Sequence, residues 1–332
     1  MSEGIPVVDV RSPAEHEKGC IPGSVNIALF SNSQRQDVGT VFKKAGNREA
    51  ILRGLDHVGP SMAGLLRQAI ELAGPGEKLL VHCWRGGMRS SSMAWLFSLA
   101  GIECYLLEGG YRAYRNHVLD SIGRLKNVIV LGGLTGSGKT DTLKVLADRG
   151  EQVIDLEGLA NHRGSAFGAI GMPVQPSSEQ FANLLYHQIA GLDPEKRVFI
   201  EDESHNIGSV FMPDVLYSII RNSWLIALMS DADNRIPRLM KEYGVMPGES
   251  LVDSISRIRK RLGGQNADQA IKSIKTGHIE DAIRIVLAYY DKTYRFGLSK
   301  RDSNTVFELE TDSRDENILA DKVLELANKI RG

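Results

Sequence analysis

Short apolar runs alternate with stretches of helical spacing along the first third of the chain. The apolar residues at 5–10 predict a buried strand, and Pro13 begins a helix that Gly19 ends. A later apolar run, LLVHC, predicts a strand that leads directly into a polar, glycine-containing loop. Since strands that alternate with helices are typical of a parallel sheet, residues 1–118 are expected to form a small α/β domain.

The same alternation resumes after a short helical connector, which is expected over residues 119–126. Apolar runs at 127–133, 198–204 and 223–230 predict buried strands, with helical patterns between them. Roughly the last hundred residues carry mostly helical periodicity and dense charge. The sequence therefore predicts a second parallel-sheet α/β domain over 127–332, with a helical C-terminal part.

The composition adds limits on compartment and partners. The 332 residues are 42% hydrophobic, with a formal net charge of −1, so any nucleic-acid site must gather its basic residues on one face. The three cysteines, Cys20, Cys83 and Cys104, are too few for a disulfide framework and fit a reducing compartment. The sequence has neither a signal-peptide pattern at its start nor an apolar run of membrane-spanning length. We therefore expect a cytoplasmic protein that does not enter a membrane.

Cys83 lies in the loop between a predicted strand and a helix that Ser90 begins. Such a loop turns backbone N–H groups inward, and the helix N-terminus adds positive potential, so both favour a thiolate. Arg85 and Arg89 add positive charge. The sequence predicts a nucleophile that attacks or carries a sulfur or selenium atom, with Cys83, Arg85 and Arg89 as the catalytic residues. A buried structural cysteine is the alternative.

The residues around this loop resemble a rhodanese domain. The similarity spans roughly residues 5–116 and is carried by the segments DVRSPAEHEKGCIPGSVNI, CWRGGMRS and LLEGGYRAY. The resemblance implies that Cys83 forms a persulfide and that Asp9 and Arg11 support the active loop. Cys20 stands where such domains often carry histidine, so we expect it to be a packing residue.

A complete G-x-x-x-x-G-K-[ST] motif runs from Gly133 to Thr140, between an apolar strand and an amphipathic helix. Its glycines allow backbone N–H groups to surround a phosphate, while the lysine reaches an outer phosphate and the threonine can bind Mg²⁺. A glycine-rich loop at 156–168 adds an arginine that could clamp a phosphate; a plain surface loop is the alternative. The predicted phosphate-binding residues are Gly133, Gly136, Ser137, Gly138, Lys139, Thr140 and Arg163.

Three acidic residues, Glu201, Asp202 and Glu203, end the predicted strand at 198–204. A P-loop protein places its metal-binding acid at this position, and Mg²⁺ prefers oxygen ligands. The sequence does not distinguish the three acids; Thr140 and Asp202 are taken as the candidate metal-binding pair. A solvated acidic loop is the alternative.

Basic and aromatic residues in the C-terminal part suggest an RNA surface. The densest basic run consists of Arg257, Arg259, Lys260 and Arg261. Phosphate contacts there would position an RNA, although a solvated helix face explains the run equally well. Three tyrosines could stack on unpaired bases, but core packing is favoured for them; they are Tyr289, Tyr290 and Tyr294.

The pairing of the two domains resembles the tRNA 2-selenouridine synthase family. The segments that carry the likeness are CWRGGMRS, GGLTGSGKT, NHRGSAFG and IEDES. The resemblance implies conversion of wobble 2-thiouridine in tRNA to 2-selenouridine with selenophosphate, by way of S-geranylation with geranyl diphosphate. It also implies contact with the anticodon arm of tRNA, a selenophosphate-producing enzyme as selenium source, Mg²⁺ at the P-loop and no organic cofactor.

Two other interpretations stay open from the residues alone. One is a small-molecule kinase with a rhodanese-like regulatory domain. The other is a sulfurtransferase whose P-loop senses a nucleotide without catalysis.

Overall fold

The structure, a computed structural model, describes residues 4–330. The chain divides into two compact units, one comprising residues up to Asp120 together with Ala182–Leu184, and the other comprising Ser121–Phe181 and the residues from Leu185 onward. A single helix, Gly110–Ile122, crosses the domain boundary that the sequence predicted at residue 118.

The first unit is built on a four-stranded parallel sheet, as predicted. Its strands are β1 (Val7–Asp9), β2 (Val25–Asn26), β3 (Lys78–His82) and β4 (Glu103–Leu106). The strand order is β2-β1-β3-β4. Strand β3 is therefore an inner strand, and the buried side chains of Leu79 and Val81 fix it in the core. Its carboxyl end leads directly into the Cys83 loop.

Six helices accompany this sheet. They are α1 (Pro13–Lys18), α2 (Asn32–Ala45), α3 (Asn47–Val58), α4 (Met62–Ala73), α5 (Met88–Ser98) and α6 (Gly110–Ile122), with short 3₁₀ turns at Gly59–Ser61 and Gly74–Gly76. The sequence analysis identified neither α2 nor α3. No residue of α2 is fully buried, and Phe42, Leu52 and Leu55 are exposed. An amphipathic pattern is weak where a helix buries so little of its surface.

The second unit contains a five-stranded parallel sheet and a two-stranded hairpin. The strands are β5 (Val128–Gly133), β6 (Gln152–Ile154), β7 (Val198–Glu201), β8 (Asn206–Ile207), β9 (Val210–Phe211), β10 (Trp224–Met229) and β11 (Val306–Glu310). The large sheet has the order β11-β10-β5-β7-β6, so the strand before the P-loop is central. The edge strand β11 was missed because the segment around it carries helical periodicity, although its own alternation of apolar and acidic residues is typical of a half-buried strand.

Among the described residues, up to 330, nine helices surround or extend this sheet. They are α7 (Lys139–Asp148), α8 (Leu156–Ala160), α9 (Ser178–Ile189), α10 (Asp214–Asn222), α11 (Ala232–Tyr243), α12 (Gly248–Leu262), α13 (Gly264–Lys275), α14 (Ile279–Leu298) and α15 (Glu316–Ile330), with a 3₁₀ turn at Ser303–Thr305. Helices α11 to α14 share a hydrophobic core of their own, which includes Leu239, Ile255 and Val286. Within residues 4–330, no helix is both long and apolar enough to cross a membrane.

Candidate functional site

The thiol of Cys83 lies at the carboxyl end of β3 and is held by its own loop. The Gly87 N–H donates a hydrogen bond to Sγ over 3.3 Å, and the Ser90 hydroxyl lies 3.3 Å from Sγ. Burial raises the pKa of the Cys83 thiol, but hydrogen bonds from the Ser90 hydroxyl and from the N–H groups of Gly87, Arg85 and Ser90 lower it by more. The pKa therefore lies below its usual value, and the loop stabilises a thiolate.

Hydrogen bonds, rather than the two loop arginines, are the main causes of this lower pKa. Arg89 donates to the Glu15 carboxylate over 2.8 Å, so its charge is largely compensated. Arg85 is exposed. Ser90, which the sequence analysis treated only as a helix start, is the side chain in contact with the sulfur. Arg85 and Arg89 stay candidates for binding an anionic substrate.

Asp9 and Arg11 form a buried ion pair behind the loop. Their closest atoms, Oδ2 and Nη2, are 2.5 Å apart, and Arg11 also donates to the Gly19 carbonyl over 2.7 Å. The Arg11 guanidinium lies 3.7 Å from the centre of the Tyr111 ring. The Tyr111 N–H in turn donates to the Cys83 carbonyl over 2.9 Å. This chain of contacts braces the active loop in the way that the family resemblance implied.

The P-loop joins β5 to α7, the strand–loop–helix context that the motif requires. Lys139 Nζ donates to the carbonyls of Gly133 and Leu134 over 3.0 and 3.4 Å, so the loop wraps around its own lysine. The Ser137 hydroxyl is buried and has no hydrogen-bond partner among residues 4–330. A buried hydroxyl without a partner is costly. Ser137 is thus poised to bond to a ligand in this loop.

Two carboxylates, the half-buried Glu157 and the buried Glu201, lie beside the end of the P-loop. The Thr140 hydroxyl lies 3.3 Å from Glu157 Oε2 and 3.4 Å from Glu201 Oε1. Burial, together with the charges of Glu157 and Asp155, raises the pKa of Glu201 to about 8. Burial and neighbouring acids likewise raise the pKa of Glu157 and of Glu203. A divalent cation beside Thr140 would relieve this repulsion.

The structure separates Glu201, the last residue of β7, from Asp202, which follows the strand. Asp202 Oδ1 lies 2.5 Å from Arg301 Nη2 in a buried ion pair, so Asp202 does not face Thr140. Glu201 does, and its other carboxylate oxygen accepts a hydrogen bond from the Glu157 N–H over 3.0 Å. Thr140 and Glu201 therefore replace Thr140 and Asp202 as the candidate Mg²⁺ pair.

The protein side chains supply an incomplete set of metal ligands at this position. Within residues 4–330, no three His, Cys, Asp or Glu side chains are arranged to hold a metal ion alone. Mg²⁺ commonly uses one or two carboxylates and completes its shell with water and substrate phosphate. The residues present fit that mode of binding, in which the metal arrives with a phosphate-bearing ligand.

The glycine-rich loop packs against Glu157 and Glu203. Gly164 has a φ of +66°, and a Cβ atom there would lie 2.6 Å from Glu203 Oε1 and 2.8 Å from Glu157 Oε1. Arg163, the predicted phosphate clamp, pairs instead with Glu242, with Nε 3.3 Å from Oε1. A phosphate role for Arg163 stays a prediction, since it would require this side chain to leave Glu242.

Two arginines of α11 contact the P-loop and were missed in the sequence. Arg235 is buried and donates to the Thr135 carbonyl over 2.9 Å, while Asp291 binds its guanidinium through both oxygens. Arg238 lies over Gly138, where a Cβ atom would come within 2.6 Å of Nη1. Their i, i+3 spacing places both arginines on one face of a helix, which could have indicated a shared role. The many other charged residues of this region obscure that spacing.

The predicted RNA-binding residues lie on α12. Arg257, Lys260 and Arg261 are exposed. Arg259 is also exposed but forms two hydrogen bonds to Asp268, over 2.6 and 2.8 Å, so its charge is compensated. Core packing is the structural role of Tyr290, whose hydroxyl accepts a hydrogen bond from the Ala166 N–H over 2.8 Å.

Two family models match the chain. The model of the rhodanese-like domain matches residues 1–117, and the model described as the tRNA 2-selenouridine synthase AAA domain matches residues 126–322. The second match alone covers more than half of the chain.

Similar curated proteins carry the name tRNA 2-selenouridine synthase. That of Shewanella sediminis (strain HAW-EB3) is 36% identical over 93% of this chain and 92% of its own. That of Shewanella woodyi (strain ATCC 51908 / MS32) is 34% identical, with the same two coverages of 93% and 92%. That of Shewanella pealeana (strain ATCC 700345 / ANG-SQ1) is 33% identical over 91% of each chain.

Proposed function

The chain belongs to the tRNA 2-selenouridine synthase family, and we propose that it converts 2-thiouridine in tRNA to 2-selenouridine. The observation that carries the proposal is the presence in one chain of an activated thiol and a phosphate-binding loop. The Cys83 pKa is lowered by hydrogen bonds, and Thr140 ends a P-loop beside the carboxylates of Glu157 and Glu201. A kinase has no need of the first feature, and a simple sulfurtransferase has no need of the second.

The first step in this proposal is geranyl transfer at the P-loop. The thiouridine sulfur attacks C1 of geranyl diphosphate, the C1–O bond breaks, and pyrophosphate leaves with the electron pair. The P-loop N–H groups, Lys139 and the Ser137 hydroxyl are suited to stabilise the charge that develops on this leaving group. Mg²⁺ held by Thr140 and Glu201 would supply further positive charge when bound. The N3 proton of the base is released to solvent.

Selenium enters in the second step. S-alkylation makes the C2 sulfur a better leaving group, so selenophosphate and water can replace geranyl thiol and release phosphate. Cys83 is the residue suited to assist this transfer, because its loop stabilises an anionic chalcogen with N–H donors. A selenophosphate-producing enzyme would supply the donor.

The tRNA would approach with its anticodon arm, where the wobble 2-thiouridine lies. The exposed basic side chains of Arg257, Lys260 and Arg261 are candidates for contacts with its phosphates. These contacts carry no sequence information, so they would orient the RNA rather than select it.

Mass analysis of tRNA nucleosides tests the proposal. tRNA that carries 2-thiouridine, but neither its geranyl nor its selenium derivative, is incubated with the protein, Mg²⁺, geranyl diphosphate and selenophosphate. The nucleosides are then separated. The expected products are S-geranyl-2-thiouridine when selenophosphate is omitted and 2-selenouridine when it is present. An unchanged 2-thiouridine peak in both reactions would refute the proposal. Phosphoryl transfer from ATP to a small hydroxyl acceptor, independent of tRNA, would favour a kinase instead.

A further inference from the structure

An apolar cavity lies among helices α11 to α14, next to the P-loop. The cavity is partly open to solvent. Most of the lining is aliphatic and comes from four helices, with Leu239, Ile255, Ala282, Ile283 and Val286 among its members. Thr135 of the P-loop forms part of the same wall.

The hydroxyl groups around this cavity gather near the glycine-rich loop. The Ser165 and Tyr243 hydroxyls lie 3.3 Å apart, and the Tyr290 hydroxyl accepts the Ala166 N–H over 2.8 Å. These groups are thus already engaged with one another or with the backbone. A purine or pyrimidine would need several new polar partners, which the aliphatic remainder of the lining does not offer.

The P-loop and the cavity wall are in direct contact. Gly136 has a φ of +79°, and a Cβ atom there would come within 2.8 Å of Leu239 Cγ. The Thr135 carbonyl is fixed by the buried Arg235 of the same helix, α11. A ligand whose phosphates occupy the P-loop would therefore lie next to residues that line the cavity, Thr135 and Leu239.

We propose that this cavity binds the hydrocarbon chain of a prenyl diphosphate whose phosphates occupy the P-loop. The inference rests on the proposed function, because it gives the geranyl donor a site. A branched, apolar chain satisfies an aliphatic lining without unpaired polar groups, and each buried carbon adds affinity. The P-loop would then hold only the diphosphate, and the helices α11 to α14 would recognise what is attached to it.

A pair of leucine substitutions on α14 tests the cavity. Ala282 lines it, whereas Ala288 is exposed on the same helix. Binding of geranyl diphosphate and of inorganic pyrophosphate to the full chain is measured by calorimetry with Mg²⁺. We expect Ala282→Leu to weaken geranyl diphosphate binding by about tenfold or more, because the added side chain occupies the space of the prenyl chain. Pyrophosphate binding should stay within about twofold, and Ala288→Leu should bind both ligands as the wild type does.

A second pair of substitutions removes side-chain volume instead of adding it. Ile283 lines the cavity, while Leu262 is buried in the same helical core but does not line it. Ile283→Ala should improve binding of farnesyl diphosphate relative to geranyl diphosphate by about tenfold. Leu262→Ala, which removes a similar side chain, should leave that ratio unchanged.

The outcomes separate this inference from the proposed function. If geranyl diphosphate binds the wild type no more tightly than pyrophosphate, or Ala282→Leu binds it equally well, the cavity does not hold the chain. The tRNA reaction would still stand in that case if S-geranyl-2-thiouridine forms. Conversely, a prenyl chain that binds as expected without any change in tRNA would refute the reaction and leave the cavity assignment intact.

Discussion

The Ser90 hydroxyl lies 3.3 Å from the Cys83 sulfur, and both groups are buried. This contact connects the first turn of α5 to the reactive atom. It explains how a thiol in a largely apolar surrounding can have a lowered pKa, since burial alone would act in the opposite direction.

Replacing Ser90 by alanine should raise the pKa of Cys83 and shift its reactivity to higher pH. The pKa is lowered in the wild type, so the thiolate is present above that value, and losing a stabilising hydrogen bond raises the pH at which it forms. At neutral pH, alkylation by iodoacetamide should slow by roughly tenfold. Ser91→Ala is the control, because Ser91 is exposed and its hydroxyl bonds only weakly, over 3.4 Å, to the Gly87 carbonyl. Equal pH profiles for the two variants would contradict the role of Ser90.

Replacing Cys83 by alanine should separate the two steps. We expect S-geranyl-2-thiouridine to accumulate, because the P-loop is unchanged, while 2-selenouridine is lost. Nucleoside mass analysis measures both products. Cys104→Ala is the matched control, since burial raises the pKa of Cys104 and leaves it a poor nucleophile. If Cys83→Ala still produced 2-selenouridine, the selenium step would belong to another residue.

Substitution of Glu201 should lower the rate of geranyl transfer, whereas substitution of Asp202 should lower the stability of the protein. Glu201→Gln keeps the shape of the side chain but cannot become a carboxylate ligand beside Thr140, so geranyl transfer should fall by about tenfold to a hundredfold and require more Mg²⁺. Asp202→Ala leaves the buried Arg301 without its carboxylate, so it should destabilise the protein by about 3 kcal/mol or more. Mg²⁺ titration of the transfer rate and urea unfolding measure the two effects. A strong Mg²⁺ defect in Asp202→Asn, with normal stability, would return the metal to Asp202.

The basic residues of α12 should differ in their effect on tRNA binding. Lys260→Ala and Arg261→Ala should each weaken binding and lower the slope of log affinity against log salt by about 1. Arg259→Ala should change the slope less, because Arg259 already pairs with Asp268. Affinities at a series of salt concentrations provide the comparison. Equal slopes for all three variants would place the tRNA elsewhere.

The sequence was most informative where a chemical motif directly follows a predicted strand. The P-loop lies in its predicted context, and Cys83 lies in the loop between β3 and α5 that the apolar run before it predicted. The sequence could not show which way the side chains of Glu201 and Asp202 point at the end of β7. Alternate side chains of a strand point to opposite faces, so the choice between Glu201 and Asp202 depends on where Thr140 and Arg301 lie in the fold.

Contacts between distant segments account for what was not predicted. Arg235 and Arg238 meet the P-loop from about a hundred residues further along the chain. Their charge gives no sign of this, because arginine on a helix is usually solvated. Strand β11 was obscured in a similar way, since its pairing with β10 is set by the sheet rather than by its own composition.

The connection between β10 and β11 has a consequence for how such proteins diversify. The two strands are parallel neighbours, and a crossover between parallel strands needs only a dozen or so residues. Here the crossover contains all four helices that line the apolar cavity. Mutations or insertions in this segment can change what is recognised beyond the phosphates while every strand of the sheet keeps its neighbours. Under the proposed cavity assignment, changes in α12 to α14 would alter the choice of donor, whereas changes in α11 would also disturb the P-loop, which Arg235 and Arg238 contact.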